Sequence, residues 1–531
     1  MSKEILYGNE ARMRIKAGID KAARAVASTL GAVGMSATIE YKGLDPIDCD
    51  DGVTILKNLD FKDPYEQIGL QKLRKAGVRT SVEGGDGTAT TTVLTQALVA
   101  EAFKEIANDS SKIREVRERL EKGLQETLTE LLKIKREVKE EDIERIATIS
   151  SLDPEIAKII ADIIKEVGIN GVVTVEKGSK LGYSKEVVKG ARFDKGWITP
   201  YFINEPSTQS VVLNEPYIVL VDRVISTNEH ILSLLNSIGT GQDILIVADD
   251  VRSVALGTLA QNAVNKIANI ACVQNPYSAS RAREFLLDIA SLTGATIISE
   301  ETGMRLDLAD KSLCGRAEKV IVTRDNTTII GGQSNDEVLN ARVKSIQEEI
   351  EGTTSEYSKL MLEERLAQLT GGIGVVRVGA YTDSEFNAKK YKFDNAINAT
   401  QAALQEGILP GGGVALLSVV GSVKERMFTS MLLAPFEQMT KNAGVELEAP
   451  FWHQFGWSGT GSSELPIDKQ PPFFCMNFKT KETVNAFDAG IIDPFKVTRL
   501  ALESATAIAI SLVSTEVVIV DELEDGKTNT N

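Results

Sequence analysis

Gly84-Gly85-Asp86-Gly87-Thr88-Ala89-Thr90-Thr91-Thr92 decides how this chain is read: glycines, one carboxylate and a run of hydroxyls stand directly ahead of apolar positions at helical spacing, Leu94, Ala97, Leu98 and Ala102. A helix that begins there aims unpaired backbone N–H groups and the positive end of its dipole at the turn, which suits an anion. Gly411-Gly412-Gly413 and Asp493-Pro494 have the same character, each ahead of an apolar run. The first stretch lies in the first fifth of the chain and the other two in its last quarter. A pocket shared by all three requires the termini to meet around an inserted middle.

A plain helix start capped by Asp86 or Thr88 accounts for one Asp and one Thr. It leaves Gly84, Gly85, Gly87 and the other threonines unexplained. A nucleotide site uses glycines for close backbone approach, threonine hydroxyls for phosphate oxygens and an aspartate for magnesium. No Gly-x-x-x-x-Gly-Lys-Ser/Thr occurs, so the chain is not a P-loop protein.

At 531 residues the chain is too long for one core and predicts about three domains. Aromatics at 5% suit aliphatic, helix-rich packing. The net charge of -16 argues against nucleic acid or an anionic membrane as partner, since phosphate neutralisation needs clustered Lys and Arg. No segment approaches the roughly 18 uncharged apolar residues of a membrane span, and Met1-Ser2-Lys3-Glu4 leads into a mixed-charge helix without a signal-peptide core. Cys49, Cys272, Cys314 and Cys475 are scattered, without zinc-like spacing, which predicts reduced thiols in a cytoplasm-like compartment. With His230 and His453 the only histidines, a Ser-His-Asp site or a His-rich metal centre is disfavoured.

Helical spacing runs from about residue 9 to 134, with a hairpin expected over Ile39 to Leu56 that turns at Gly43, Asp45 and Pro46. The charged stretch Lys133 to Asp142 reads as a junction between helices. Residues 190–370 form an α/β block: the runs at Ile218–Val221, Ile244–Val247, Ala295–Ile298 and Val320–Val322 read as buried strands. Asn335 to Leu369 carries two amphipathic helices broken near Gly352-Thr353-Thr354. Gly190 on one side of the block and Gly371-Gly372 on the other are ordinary turn residues or a two-strand hinge. After Gly407 the helical pattern returns, and Asp521 to Asn531 is a polar tail.

These residues carry a family resemblance. Thr29-Leu30-Gly31, Asp51-Gly52-Val53, Gly85-Asp86-Gly87-Thr88, Glu406-Gly407 through Gly411-Gly412-Gly413-Val414-Ala415-Leu416, and Ile492-Asp493-Pro494-Phe495-Lys496-Val497-Thr498-Arg499 resemble GroEL-type group I chaperonins, in the family's order. So do Gly196-Trp197-Ile198-Thr199-Pro200-Tyr201-Phe202-Ile203-Asn204 and Ile298-Ser299-Glu300-Glu301. The likeness runs from about residue 5 to 520 and is interrupted near residues 421–476. It implies a multidomain α and α/β subunit. An equatorial ATP-binding domain comes from both termini (1–133 and 407–531), a hinged intermediate domain from 134–189 and 373–406, and an inserted α/β apical domain from 190–372. It further implies a homo-oligomeric ring, heptameric by analogy, that uses ATP and magnesium to grip and enclose non-native proteins. A co-chaperonin lid is left open, as is a role for potassium.

By the resemblance Thr29, Leu30, Gly31 and Ala32 line the nucleotide with Asp50, and Asp86 holds magnesium. Gly87, Thr88, Ala89 and Thr90 meet phosphate. Gly411, Gly412, Asn477, Phe478 and Asp493 sit toward ribose and base. Asp51 orients or deprotonates the attacking water. Client binding falls to Trp197, Tyr201, Phe202, Leu232, Leu235, Leu256, Ala260 and Gln261, although apolar residues at such spacing also simply face a domain core. Hinge motion falls to Gly190, Gly371, Gly372 and Gly407.

Departures from the family shape the expected activity. Asn395, in Asp394-Asn395-Ala396-Ile397-Asn398-Ala399-Thr400, occupies the position of a catalytic aspartate. An amide orients water but cannot take its proton, so slower hydrolysis with intact binding is expected. Asp394 is a candidate substitute, turned about 100° away on a helix. Ala32 replaces a proline and Asp50 a basic residue, while Phe478-Lys479 follows Asn477 where the family has small residues. Ala260 and Gln261 replace larger aliphatics, which lowers apolar client area at roughly 25 cal/mol per Å². The aromatic stretch 449–474, with Phe451, Trp452, His453, Phe455, Trp457 and Phe473-Phe474, is insertion-like and reads as self-packing, a subunit contact or a recognition loop. The family's Gly-Gly-Met tail is missing.

The leading expectation is an ATP-hydrolysing chaperonin acting in the cytoplasm, with slowed turnover. Its rival is an ATP-binding holdase or cage with little turnover. Divergence this broad also suits a virus-encoded copy in a host cytoplasm. A metabolic α/β enzyme is disfavoured, because Gly239-Thr240-Gly241 precedes a strand rather than following one.

Overall fold

The computed structural model describes residues 3–40, 46–107, 110–168, 171–178, 181–206, 208–277, 280–299, 303–353, 355–446 and 473–521. Two compact units emerge: Met1–Ala161 with Asn387–Asn531, and Asp162–Phe386. The N-terminal piece of the first unit carries β1 (Lys3–Tyr7), α1 (Gly8–Ala27), β2 (Ala37–Ile39), β3 (Ile47–Cys49), α2 (Gly52–Asn58), α3 (Pro64–Gly84), α4 (Thr88–Ile106), α5 (Ile113–Ile134), α6 (Glu140–Ser151) and most of α7 (Pro154–Val167). The second unit carries β4 (Val172–Lys177), β5 (Gly182–Val188), β6 (Gly190–Phe193), β7 (Val211–Asn214), β8 (Tyr217–Ile225), α8 (Glu229–Ile238), β9 (Asp243–Val251), α9 (Ser253–Val264), β10 (Asn269–Gln274), α10 (Ser280–Thr293), β11 (Ile297–Ile298), β12 (Gly315–Val322), β13 (Thr327–Gly332), α11 (Asp336–Gly352), α12 (Glu356–Thr370) and β14 (Ile373–Gly379). The chain then returns through α13 (Asp383–Glu406), β15 (Ile408–Pro410), α14 (Val414–Val419), α15 (Met427–Ala443), β16 (Phe474–Asn477), β17 (Glu482–Asn485), β18 (Ile492–Pro494), α16 (Phe495–Val513) and β19 (Val517–Asp521).

The first unit is helical because its apolar residues recur at helical spacing and close one aliphatic core. Ile15, Ile19, Leu70, Leu73, Leu94, Leu98, Leu502 and Leu512 are buried in a single cluster. Its two pieces are joined at the ends of the chain. β1 pairs antiparallel with β19, Ile5 opposite Ile519, and the buried Arg12 donates from Nε to the Thr515 carbonyl at 2.8 Å. The termini therefore meet around an inserted middle, as the three helix starts require.

Hairpin pairing is shorter than expected from Ile39 to Leu56. Ala37–Ile39 pairs with Ile47–Cys49, and Gly52–Asn58 is helix, because Asp51 accepts from Val53 N and Thr54 N and so starts a helical turn inside the stretch expected as hairpin. Gly43 and Asp45 lie outside the described residues.

The second unit is α/β. β8, β9 and β10 run parallel through the crossover helices α8 and α9, and the sheet order is β10-β9-β8-β12-β13-β6, with β11 beside β8 and β7 beside β12. Their Val and Ile runs are buried on both faces, which is why no alternation marks them in the sequence. Of Ala295 to Ile298 only Ile297–Ile298 is strand. A smaller sheet, β4-β14-β5, belongs to the same unit. Among the described residues no helix is long and apolar enough to cross a membrane.

Candidate functional site

In the first unit the turn between α3 and α4 is shaped by close approach. Gly85 and Gly87 have φ of +83° and +96°, and a Cβ on Gly85 would lie 2.3 Å from Asn398 Cβ and 2.6 Å from Ala399 N. On Gly87 it would lie 2.6 Å from Val497 Cγ1. The glycines thus let α13 and α16 close over the start of α4, whose first N–H groups have no carbonyl of their own. Asp86 Oδ1 accepts from Gly87 N at 2.6 Å.

The threonine run serves the interior more than the turn. Thr88 is buried, and its hydroxyl donates to the Gly77 carbonyl at 3.1 Å; Thr91 donates to Thr80 Oγ1, and Thr92 to the Thr88 carbonyl. A phosphate contact from Thr88 would come from its backbone. Thr90 and Ala89 stay half-buried at the helix start.

The carboxylates meet beside this turn. Asp51 caps α2, accepting Val53 N at 3.1 Å and Thr54 N at 2.7 Å, and a Cβ on the next residue, Gly52, would lie 3.2 Å from Thr88 Cγ2. The starts of α2 and α4 are therefore neighbours. Asp86 is reached by solvent, with protein packed around it. Burial pushes its pKa up, the Gly87 N–H pulls it down, and the charge of Asp51 adds to the rise. Asp493, opposite Leu409 in the β15–β18 pair, is pushed up to about 7 by burial and by the charge of Asp86. Among the described residues no Lys, Arg or His charge offsets Asp86 or Asp493. Among the described residues no group of three or more His, Cys, Asp and Glu is arranged to hold a metal ion. A magnesium ion held by Asp86 would take that carboxylate and complete its shell with phosphate oxygens and water, the usual habit of that ion.

The remaining glycine turn completes the wall. Gly411 N donates to the Ile491 carbonyl at 2.8 Å, Gly412 and Gly413 have positive φ, and Gly413 starts α14. Thr29, Leu30, Gly31 and Ala32 follow α1. Asn442 Nδ2 holds this loop through the Ala27 and Leu30 carbonyls at 2.8 and 2.9 Å. Asp50 is exposed beside Asp51. Asn477 Oδ1 accepts from Lys479 N at 3.1 Å and fixes its own hairpin turn. Phe478, expected toward the base, is buried against Phe436, ring centroids 6.1 Å apart, within the cluster on which Leu30 packs. Gly407, at φ +87°, ends α13 where a Cβ would meet the Arg136 carbonyl at 2.7 Å.

On α13, Asn395 does not reach out alone. Its side chain hydrogen-bonds Tyr391, one turn earlier, and the Tyr391 hydroxyl donates to Asp51 Oδ1. Tyr391 was missed in the sequence, although its spacing of four from Asn395 puts both on one helix face. Asp394 does not share that face: it feels burial and Lys390 but none of the cleft carboxylates. Burial pushes Asp394 up to about 6, above its unfolded value of about 4. The charged form therefore costs stability above about pH 6, and the cost fades as pH falls toward 4. Asp394→Asn is expected to stabilise the protein at pH 7.5 by about 1–2 kcal/mol, with a gain that shrinks in thermal melts at pH 5.

The second unit presents a separate apolar face. Tyr201 is 67% and Leu232 43% exposed, whereas Phe202 is 2% exposed and belongs to the core. Its place in a single helical turn sends the ring inward while Tyr201 faces out. Trp197 is half-buried, its Nε1 donating to the Gln209 carbonyl at 3.3 Å. Leu235, Leu256 and Ala260 pack on the core, and Gln261 is exposed. The turn holding Tyr201 lies beside α9, and the turn Leu306–Leu308 lies beside α8. Leu308, Val254 and Val264 are exposed apolar residues that helical spacing alone had not singled out. Gly190 sits in β6, where a Cβ would lie 2.4 Å from the Ile329 carbonyl oxygen, and Gly371-Gly372 follows α12, Gly372 at φ +66°. The aromatic stretch 449–472 lies outside the described residues.

The model of the TCP-1/cpn60 chaperonin family matches residues 22–233 and 228–522. Two crystal structures of the chaperonin gp146 from bacteriophage EL 2 (Pseudomonas aeruginosa), both in the presence of ATP-BeFx, have the same fold. Crystal form II matches with a TM-score of 0.69 and 21% identity over 98% of this chain and 99% of that one. Form I matches with a TM-score of 0.64 and 20% identity, with the same coverage.

Proposed function

Because this chain belongs to the TCP-1/cpn60 chaperonin family, we propose that it binds non-native proteins and is driven through a folding cycle by ATP, as a subunit of a homo-oligomeric ring. The observation that most favours nucleotide chemistry is the meeting of Asp51, Asp86 and Asp493 at glycine-rich helix starts, where among the described residues no cationic side chain offsets the charge of Asp86 or Asp493. Helix starts favour phosphate, and Asp86 would hold a magnesium ion that neutralises it. Asp51, oriented by two backbone N–H groups, would accept the proton of the attacking water. Domain limits at 1–133, 134–189, 190–372, 373–406 and 407–531 belong to the same reading, as do a seven-membered ring and the glycine hinges.

A holdase or cage with little turnover is the second reading, favoured by Asn395, whose amide supports Tyr391 and cannot serve as a base.

Client capture would use the exposed apolar face of the second unit. Tyr201→Glu with Leu232→Ser is expected to weaken capture of a chemically denatured enzyme about tenfold, through lost apolar area and an added charge. Phe202→Leu, at a core position, should leave capture alone. Unchanged capture in the double variant, measured by co-sedimentation, would remove this face from the account.

A further inference from the structure

Asp51 is the carboxylate whose free lone pairs matter most if the cleft hydrolyses nucleotide. Its Oδ1 accepts from Val53 N at 3.1 Å and from the Tyr391 hydroxyl, and its Oδ2 accepts from Thr54 N at 2.7 Å. A carboxylate offers about four acceptor sites, so one remains for water. The two cap bonds already orient Asp51, and a third donor adds no direction that it lacks. What the phenol does is fill a site on Oδ1 and draw electron density from the carboxylate as a whole.

We propose that Tyr391, supported by Asn395, is a positioning residue that restrains turnover by donating to Asp51 Oδ1, which makes the carboxylate a weaker base and leaves one acceptor site, on Oδ2, for water. The inference rests on the ATPase reading above. Tyr391 lies on α13 and Asp51 at the start of α2, so the contact also ties these two helices together in the first unit. Burial and the neighbouring Asp51 charge push the phenol's pKa well above its ordinary value, so it stays a donor at any working pH. Asn395 spends one of its hydrogen-bonding groups on Tyr391. Slow hydrolysis then has two sources in one chain of hydrogen bonds: a missing carboxylate and an occupied one.

The test has a nucleotide-free part and a kinetic part. In the first, Tyr391→Phe, Asp51→Ala and the double variant form a thermal-stability cycle without ATP. Non-additive shifts in Tm are expected, because the two side chains share one bond. In the second, Tyr391→Phe is expected to raise kcat about fivefold, the worth of one hydrogen bond, with the KM for ATP unchanged. A merely structural contact would leave kcat level or lower it together with stability. Additive Tm shifts, or a kcat that falls or stays level, would overturn the proposal. Absence of turnover from every variant would overturn the ATPase reading itself, and the nucleotide-free cycle tells the two failures apart.

Discussion

Asp86→Asn is expected to lower magnesium-dependent ATP turnover by at least about 100-fold, the scale of losing a metal or oxyanion contact in a closed site. The same change should leave the nucleotide-free protein as stable as before, or more so. Burial and the Asp51 charge both disfavour the Asp86 carboxylate, and only the Gly87 N–H favours it. An amide keeps the shape, still accepts that N–H, and removes the charge. Thermal melts with and without ATP and magnesium separate the two effects: the apo melting point is held or raised, and the ligand-induced rise is lost. A carboxylate kept at a cost to folding is expected where charge serves a ligand.

Gly85→Ala is expected to cost more than about 3 kcal/mol of stability and to abolish nucleotide binding. The strain of a left-handed residue accounts for about 1 kcal/mol. The remainder comes from a methyl group that would sit 2.3 Å from Asn398 Cβ and 2.6 Å from Ala399 N, both on α13. α13 would have to move away, taking Asn395 and Tyr391 with it. Gly168→Ala is the control, because φ there is +81° and a Cβ meets nothing within 4 Å; it should show the strain alone. Equal losses at the two positions would mean that α13 does not press on the turn.

These residues also show how far the sequence could be read. Helix starts at Thr88, Val414 and Phe495 were legible because glycine or Pro punctuation precedes apolar runs, and the meeting of the termini followed from asking for one pocket. The α/β character of residues 190–370 was legible from its β-branched runs. Less could be read where facing mattered. The helix start predicts a phosphate contact for Thr88, but its hydroxyl donates to the Gly77 carbonyl on α3, and the neighbouring Thr91 and Thr92 likewise find acceptors on α3 and within α4. Phe202 and Phe478 stand next to residues that do line surfaces, and neighbours in sequence point in different directions. The glycines of the turn were read as room for phosphate, whereas Gly85 and Gly87 face α13 and α16, contacts hundreds of residues away in sequence. Tyr391 carried no motif. It becomes meaningful only when α13 lies beside Asp51, a tertiary fact with no local signature.

The most direct measurement of the central claim is refolding of a chemically denatured enzyme captured by the assembled protein, with magnesium and with or without ATP. ATP-dependent recovery of native activity, abolished by Asp86→Asn, is the predicted result. Recovery or release that proceeds equally without ATP would contradict an ATP-driven cycle.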